Sequence, residues 1–340
     1  MNLTLSPDQE QLLGSIVTCL DGELPVSRLH EAETSREQAE LRRMRVLGDL
    51  GWYRISLPEH LGGAGLGLAE EVLLFREFGR RLAPASVTAA VLGGRIAANG
   101  GASVLAESIL CGAHPVAIAI PEAPVDLTEG RLRGAVRTFS TGVSDLAVLV
   151  TPKETVLLDL SVTTSGNRPC LDRTMTMRRA DLGAAEVVAR IDGETASTQA
   201  QLLLAATFTG QAEAARDMIN EYAKVRETFG RAIGAYQAVR HPIAEMAMRC
   251  EQAKALLFYA ALAADEGRLD AAVQAGAARA VAQTAAVKND DANIQLHGGI
   301  GVTDDLDAHL YLKRTMVCAN WFGDVKQQLM TLLEAPLLEI

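Results

Sequence analysis

The stretch from Ile243 to Ala260 sets the strongest limit on the fold. Ile243, Met246, Cys250, Ala253, Leu257 and Ala260 recur at steps of three and four, which lays one continuous apolar face along a helix. Such a face must be buried against other helices, so the spacing is that of a bundle. The next run, "AAVQAGAARAVAQTAAV" (271–287), carries small side chains that let helices approach closely. Upstream, Thr198 and Gln201 have the spacing of a capping box and predict a helix that starts near residue 199.

The texture differs in the first half of the chain. Residues 1–113 read as helical, with Ser6-Pro7 as a helix start, "SREQAELRRMRVLGDLGW" ending near Gly51, and "LAEEVLLFREFGRRLA" stopped before Pro84. Between the last two, "LPEHLGGAGLG" places four glycines within six positions, Gly62 to Gly67. From 114 the runs become short and β-branched or apolar: "HPVAIAIPE", "RLRGAVRTF", "LAVLVT" and "TVLLDLSV". They predict a compact β domain of successive antiparallel strands. The expected division is helical 1–113, β 114–192 and a helix bundle 193–340, an α+β chain that is mainly α.

Composition narrows the function. A formal net charge of -10 argues against nucleic acid, whose phosphates need a basic surface. No stretch approaches 18 uninterrupted apolar residues, and the N-terminus lacks the basic and apolar regions of a secretory signal. Five scattered cysteines without CxxC spacing predict a reducing cytoplasm, no disulfide frame and no metal site.

Two stretches carry chemistry. In "VRETFGRAIGAYQAV", Arg226 stands at a helix end and Gln237 at the start of the next helix. An Arg at such a corner can clamp a phosphate through its planar fork, or it can be a solvated cation beside a helix C-terminus. In "QLHGGIG", Gly298, Gly299 and Gly301 let backbone approach a ligand, with Gln295 able to add an amide contact. A tight interhelical turn is the plainer reading of those glycines, and a structural role is the plainer reading of His297.

Together the stretches are specific. "RETFG", "YQ" and "QLHGGIGVTDDLDAHLYLKR" resemble the C-terminal half of acyl-CoA dehydrogenases. "LGDLGWYRISLPEHLGGAGLGLAEEVLLFREFGRRLAP" is similar to the family's N-terminal helical domain, and "AIAIPEAP" through "DLAVLVT" to its middle β domain. The resemblance implies the family fold: N-terminal helices, a β-barrel-like middle domain and a C-terminal four-helix bundle. It also implies an FAD-dependent α,β-desaturation of an acyl-CoA thioester, in which a carboxylate removes the α-proton. In the family, the Arg, Phe and Gln of "RxxFG" and "FQ" and the Gln and glycines of "QxxGGxG" hold the diphosphate end of a neighbouring subunit's FAD. The matching positions here are Arg226, Phe229, Gln237, Gln295, Gly298, Gly299 and Gly301.

The catalytic Glu has no match. Alignment on Leu312 puts Phe322 at one family position for the base, and the other falls at Ala200. Asp324 and Glu194 are the fallback carboxylates. The family's "TEPxxGSD" and "WITN" stretches, which line the flavin ring, are replaced by "IPEAPVDL" and "GAVRTFSTG". The expectation is therefore a non-catalytic subunit that shares FAD with a base-bearing acyl-CoA dehydrogenase partner in an α2β2 assembly. Actinobacterial steroid side-chain degradation supplies the family precedent, with electron-transfer flavoprotein as acceptor. The alternatives are a self-sufficient homotetrameric dehydrogenase with a displaced base, and a flavin-free structural or acyl-CoA-binding module.

Overall fold

The computed structural model describes residues 3–334 apart from 32, 124, 126–133, 152–153 and 164. Five helices come first: α1 (Pro7–Glu23), α2 (Glu33–Asp49), α3 (Leu68–Arg80), α4 (Ser86–Asn99) and α5 (Ser103–Leu110). The start of α1 is a true capping box, with Gln9 N donating to Ser6 Oγ at 3.2 Å and Ser6 N donating to Gln9 Oε1 at 3.0 Å. Seven strands follow: β1 (Val116–Pro121), β2 (Ala135–Ser140), β3 (Leu146–Val150), β4 (Glu154–Asp159), β5 (Ser165–Arg168), β6 (Thr176–Asp181) and β7 (Glu186–Asp192). The chain closes with α6 (Gly193–Val225), a short hairpin of β8 (Glu227–Thr228) and β9 (Arg231–Ala232), α7 (Gln237–Asp265), α8 (Ala271–His297), α9 (Ala308–Cys318) and α10 (Val325–Glu334). The fold is mainly helical α+β, with N-terminal helices, a central sheet and C-terminal helices.

Two sequence expectations need correction. Strands β2 and β3 are not neighbours, because the sheet order is β5-β6-β2-β1-β3-β4-β7. Strand β1 lies between them, antiparallel to β2 and parallel to β3. Strands β1 and β3 in the middle of the sheet carry apolar runs, Val116–Ala119 and Leu146–Leu149, that are buried throughout, as an inner strand covered on both faces requires. Residues 131–133 of "RLRGAVRTF" lie outside the described residues, and β2 starts at Ala135. The second correction concerns Thr198, which sits inside α6 rather than at its N-cap. Strand β7 runs directly into the helix at Gly193, where exposed Glu194 suits the positive end of the helix dipole.

Backbone contacts divide the chain into two compact units. One comprises Ser27–Glu71 and Ala83–Ala200 and contains the sheet. One sheet face buries Ala117, Ala147, Leu149, Val156 and Leu158 in a single apolar cluster. Against the other lies α4, where a Cβ on Gly93 would stand 3.3 Å from both Val116 and Val148. Helix α4 is almost wholly buried, and most of its side chains are small or apolar.

The other unit comprises Met1–Val26, Val72–Leu82 and Gln201–Ile340. Here α3 crosses α6 through paired glycines. A Cβ on Gly79 would lie 2.0 Å from Thr207 O, and one on Gly210 1.9 Å from Arg76 O. Neither position tolerates a side chain without separating the helices. Arg76 meets Glu213 at 2.7 Å and Arg80 meets Asp217 at 2.7 Å beside this crossing. The predicted α7 face is realised, with Met246, Cys250, Ala253, Leu257 and Ala260 all fully buried. Among the described residues, no helix is long and apolar enough to cross a membrane.

Candidate functional site

Helix α6 ends at Val225, and Arg226 begins a tight corner. Arg226 N donates to Tyr222 O at 2.9 Å, and Ile233 N donates to Arg226 O at 2.8 Å, so the backbone is pinned on both sides. The hairpin tip is Phe229-Gly230, with φ of 50° and 78°. Positive φ at both central residues closes a two-residue hairpin, and at a phenylalanine it costs about 1–2 kcal/mol. The Phe229 side chain is 98% exposed. Its strain is therefore not offset by burial within this chain. Two contacts brace the hairpin: Tyr236 Oη donates to Thr228 O at 2.8 Å, and the Arg231 guanidinium lies 4.0 Å over the Tyr236 ring.

Gln237 opens α7 with its side chain in solvent, and the N-cap Tyr236 makes no side-chain cap. The first N–H groups of α7 are thus left without a side-chain acceptor, a setting that favours anions. Arg226 is exposed and forms no ion pair among the described residues.

Gln295 is exposed on the last turn of α8, and a 3-10 turn at Gly298–Val302 follows. The three glycines do different work. Gly298 has φ 69° and ψ -146°, a conformation that L side chains avoid. Gly301 is packed, since a Cβ there would lie 2.6 Å from Ile294 O and 3.2 Å from His297 Cβ. Gly299 has nothing within 4 Å of where its Cβ would be and has no positive φ, so no contact among the described residues requires its bareness. Accordingly, Gly301→Ala is expected to destabilise the fold by about 1–3 kcal/mol. Gly299→Ala is expected to stay within about 0.5 kcal/mol of wild type. Paired thermal unfolding curves check this contrast.

Folding brings the two stretches to one end of the bundle. The Tyr222 ring, one turn before Arg226, packs on the His297 ring, just before Gly298, with centroids 4.4 Å apart. Ile219, Ile243, Met246, Ala292 and Leu296 complete the apolar cluster beneath them. His297 Nδ1 stands 2.8 Å from Asn293 O, and burial lowers the pKa of the ring, so it serves as a neutral packing group. Tyr222 had no role in the sequence reading, although an aromatic one turn before Arg226 was the available signal.

The positions expected for a base hold no carboxylate. Ala200 is fully buried in α6. Phe322 is half-buried with φ 57°, in a loop that is fixed from below. Arg279, fully buried, donates through Nη1 to Gln201 Oε1 at 2.7 Å and through Nη2 to Ala319 O and Gly323 O, both at 3.0 Å. Gln201 Nε2 in turn donates to Phe322 O at 3.0 Å. This is what Gln201 does in place of the predicted cap. Glu194 and Asp324 are both exposed.

Comparison with known proteins matches residues 6–105 to the acyl-CoA dehydrogenase N-terminal domain and residues 194–336 to its C-terminal domain. The chain is 30% identical over 270 residues to the acyl-CoA dehydrogenase IpdE2 of Mycobacterium tuberculosis, covering 78% of this chain and 77% of that one. It is 29% identical over 328 residues to acyl-CoA dehydrogenase FadE34 of the same organism. That match takes in 94% of this chain but 46% of FadE34, so the chain spans about half of that relative's length. Among solved structures, the Tcur3481-Tcur3483 steroid ACAD superposes with a TM-score of 0.85 at 26% identity, over 97% of this chain and 98% of that one. The chain belongs to the acyl-CoA dehydrogenase family.

Proposed function

We propose that this chain is the non-catalytic subunit of a flavin-dependent acyl-CoA dehydrogenase and supplies the diphosphate-holding corner to an FAD carried by a base-bearing partner. The observation that carries the reading is a division of labour. Arg226, Phe229, Gln237, Gln295 and Gly299 all face solvent, while a phenyl ring and a methyl group stand at Phe322 and Ala200. Phe322 has no lone pair to accept an α-proton, and the cation beneath its loop is the wrong charge for a base.

The exposed residues fit the group that the family implies. A diphosphate needs a cationic fork, N–H donors without side-chain acceptors, and backbone free of Cβ atoms. Arg226, the first turn of α7 and Gly299 are of those kinds. Bound FAD supplies the hydride acceptor for α,β-desaturation. This chain's part is to neutralise the diphosphate with Arg226, cover it with Phe229 and Gln237, and exclude water from it.

The relatives support a two-chain arrangement. More than half of FadE34 lies outside the match, which leaves room there for a second chain of this size. The steroid ACAD that superposes well is named for two gene products. We therefore read the assembly as an α2β2 heterotetramer that acts on a steroid CoA ester, with electron-transfer flavoprotein as acceptor.

The test is co-expression with an acyl-CoA dehydrogenase homologue encoded beside this chain, followed by the flavin spectrum. Flavin and activity are expected only in the mixed complex. A yellow, active product from this chain alone would overturn the reading. Arg226→Ala is expected to weaken flavin retention by the complex about 10- to 100-fold, the effect of a lost charge-assisted phosphate contact. Flavin content after dilution and gel filtration measures it.

A further inference from the structure

Beside the corner lies a cavity of about 550 Å³ between α6 and α7. Arg216 and Lys224 on α6 and Arg240 on α7 stand around a floor that includes Ala223, Ala244 and Ala247. No carboxylate is among its lining residues, in a chain whose net charge is -10. Three cations therefore face one cavity in a chain that is acidic as a whole. We propose that the cavity receives an acidic segment of the partner subunit, a proposal that rests on the two-chain reading above.

Three observations select that occupant. The first is charge. Arg216 donates to Asp217 Oδ1 through Nε at 2.8 Å and Nη2 at 2.6 Å, and Lys224 meets Glu221 at 2.5 Å. Arg240 is exposed and forms no ion pair among the described residues. The acids that hold Arg216 and Lys224 all come from α6, so the α7 side of the cavity keeps an unneutralised cation. The second is the floor. Apart from the three cations, the lining has one polar side chain, that of Asn220, and the alanine methyls give an apolar floor. They suit the methylene stems of Asp and Glu side chains on a docked backbone. The third is position. Lys224 is two residues before Arg226, and Arg240 is three residues after Gln237, so the cavity continues the corner proposed to hold the partner's flavin. A chain that seats its flavin there passes over this cavity.

The test uses the full chain with the co-expressed partner. Lys224→Glu with Arg240→Glu is expected to weaken assembly at least tenfold and to remove most of its dependence on salt, as read by sedimentation at two ionic strengths. Lys224→Ala with Arg240→Ala should give a smaller loss in the same direction, and circular dichroism of each variant confirms folding. Carbodiimide coupling should join Lys224 to an Asp or Glu of the partner, located by peptide mass mapping. Equal assembly by the reversed variant, with no coupling at Lys224, overturns the proposal. So does equal assembly accompanied by lost binding of inorganic pyrophosphate in calorimetry, which would make the cavity a small-anion site. The two readings fail differently. If wild-type chains form no complex, the proposed function falls. If they form a complex that loses flavin with Arg226→Ala but ignores the charge reversal, only the cavity proposal falls.

Discussion

Arg279→Ala is expected to destabilise the helical unit that holds it by about 3–5 kcal/mol, the range for disrupting a buried charged network and leaving a cavity. Among the described residues Arg279 is the largest fully buried side chain, and its guanidinium joins α8 to α6 and to the 319–323 loop. Burial pulls its pKa down to about 9, against the opposing pull of Cys318 and Asp324, so it stays charged at neutral pH. Without it, Ala319 O loses its Arg279 donor, and Gly323 O and Gln201 Oε1 keep only the longer contacts from Gln328 Nε2, at 3.4 and 3.3 Å. Arg279→Lys should recover little, because an ammonium at one point cannot span acceptors placed around a planar fork. Urea unfolding checks the magnitude. Trp321, 2% exposed and beside Phe322, reports the loop by a red shift of its emission. Unchanged stability and emission in Arg279→Ala would show that the loop is held by other contacts.

The contrast between Arg279 and Arg226 shows what a sequence can disclose. Arg226 was legible because its neighbours in the chain, Phe229, Gly230 and Gln237, form the motif with it. Arg279 sits in an Ala-rich helix and reads there as a solvated charge. Its burial is set by Gln201, 78 positions away, and by carbonyls that carry no residue identity. The same limit hid the Tyr222–His297 stack, whose rings belong to helices far apart in the chain. Helix starts show it too. Ser6 and Gln9 form a capping box and Thr198 and Gln201 do not, although the spacing is the same. What differs is the preceding chain: a short lead before Ser6, a strand that runs straight into the helix before Thr198. Sheet order was likewise illegible, because it depends on which strands end up covered on both faces.

The second large effect is a pH dependence centred on Asp290. This carboxyl is fully buried on α8, and burial pushes its pKa up to about 7, partly opposed by a hydrogen bond with Thr315. The local geometry agrees with a held proton. Thr315 Oγ1 lies 2.7 Å from Asp290 Oδ2 and 2.8 Å from Gln211 Oε1, and one hydroxyl proton cannot serve both oxygens. A protonated Asp290 donating to Thr315, which donates to Gln211, satisfies the pair. Between the ordinary carboxylate range and pH 7, the folded chain keeps a proton that the unfolded chain has released. The unfolded state therefore binds fewer protons, and this group's contribution to stability falls as pH rises from about 4 to 7, then levels off. The full span is up to about 4 kcal/mol, at about 1.4 kcal/mol per pH unit. Asp217 and Asp270, whose pKa values are lowered, work in the opposite direction at lower pH, so the wild type alone is a poor readout. Asp290→Asn keeps the shape and one oxygen acceptor but has no proton to lose. Its stability relative to wild type should be near zero or slightly negative at pH 5 and favourable by about 2–3 kcal/mol at pH 8. Denaturant midpoints for both proteins at the two pH values decide it. A constant difference across that range would mean that Asp290 does not change its charge on unfolding.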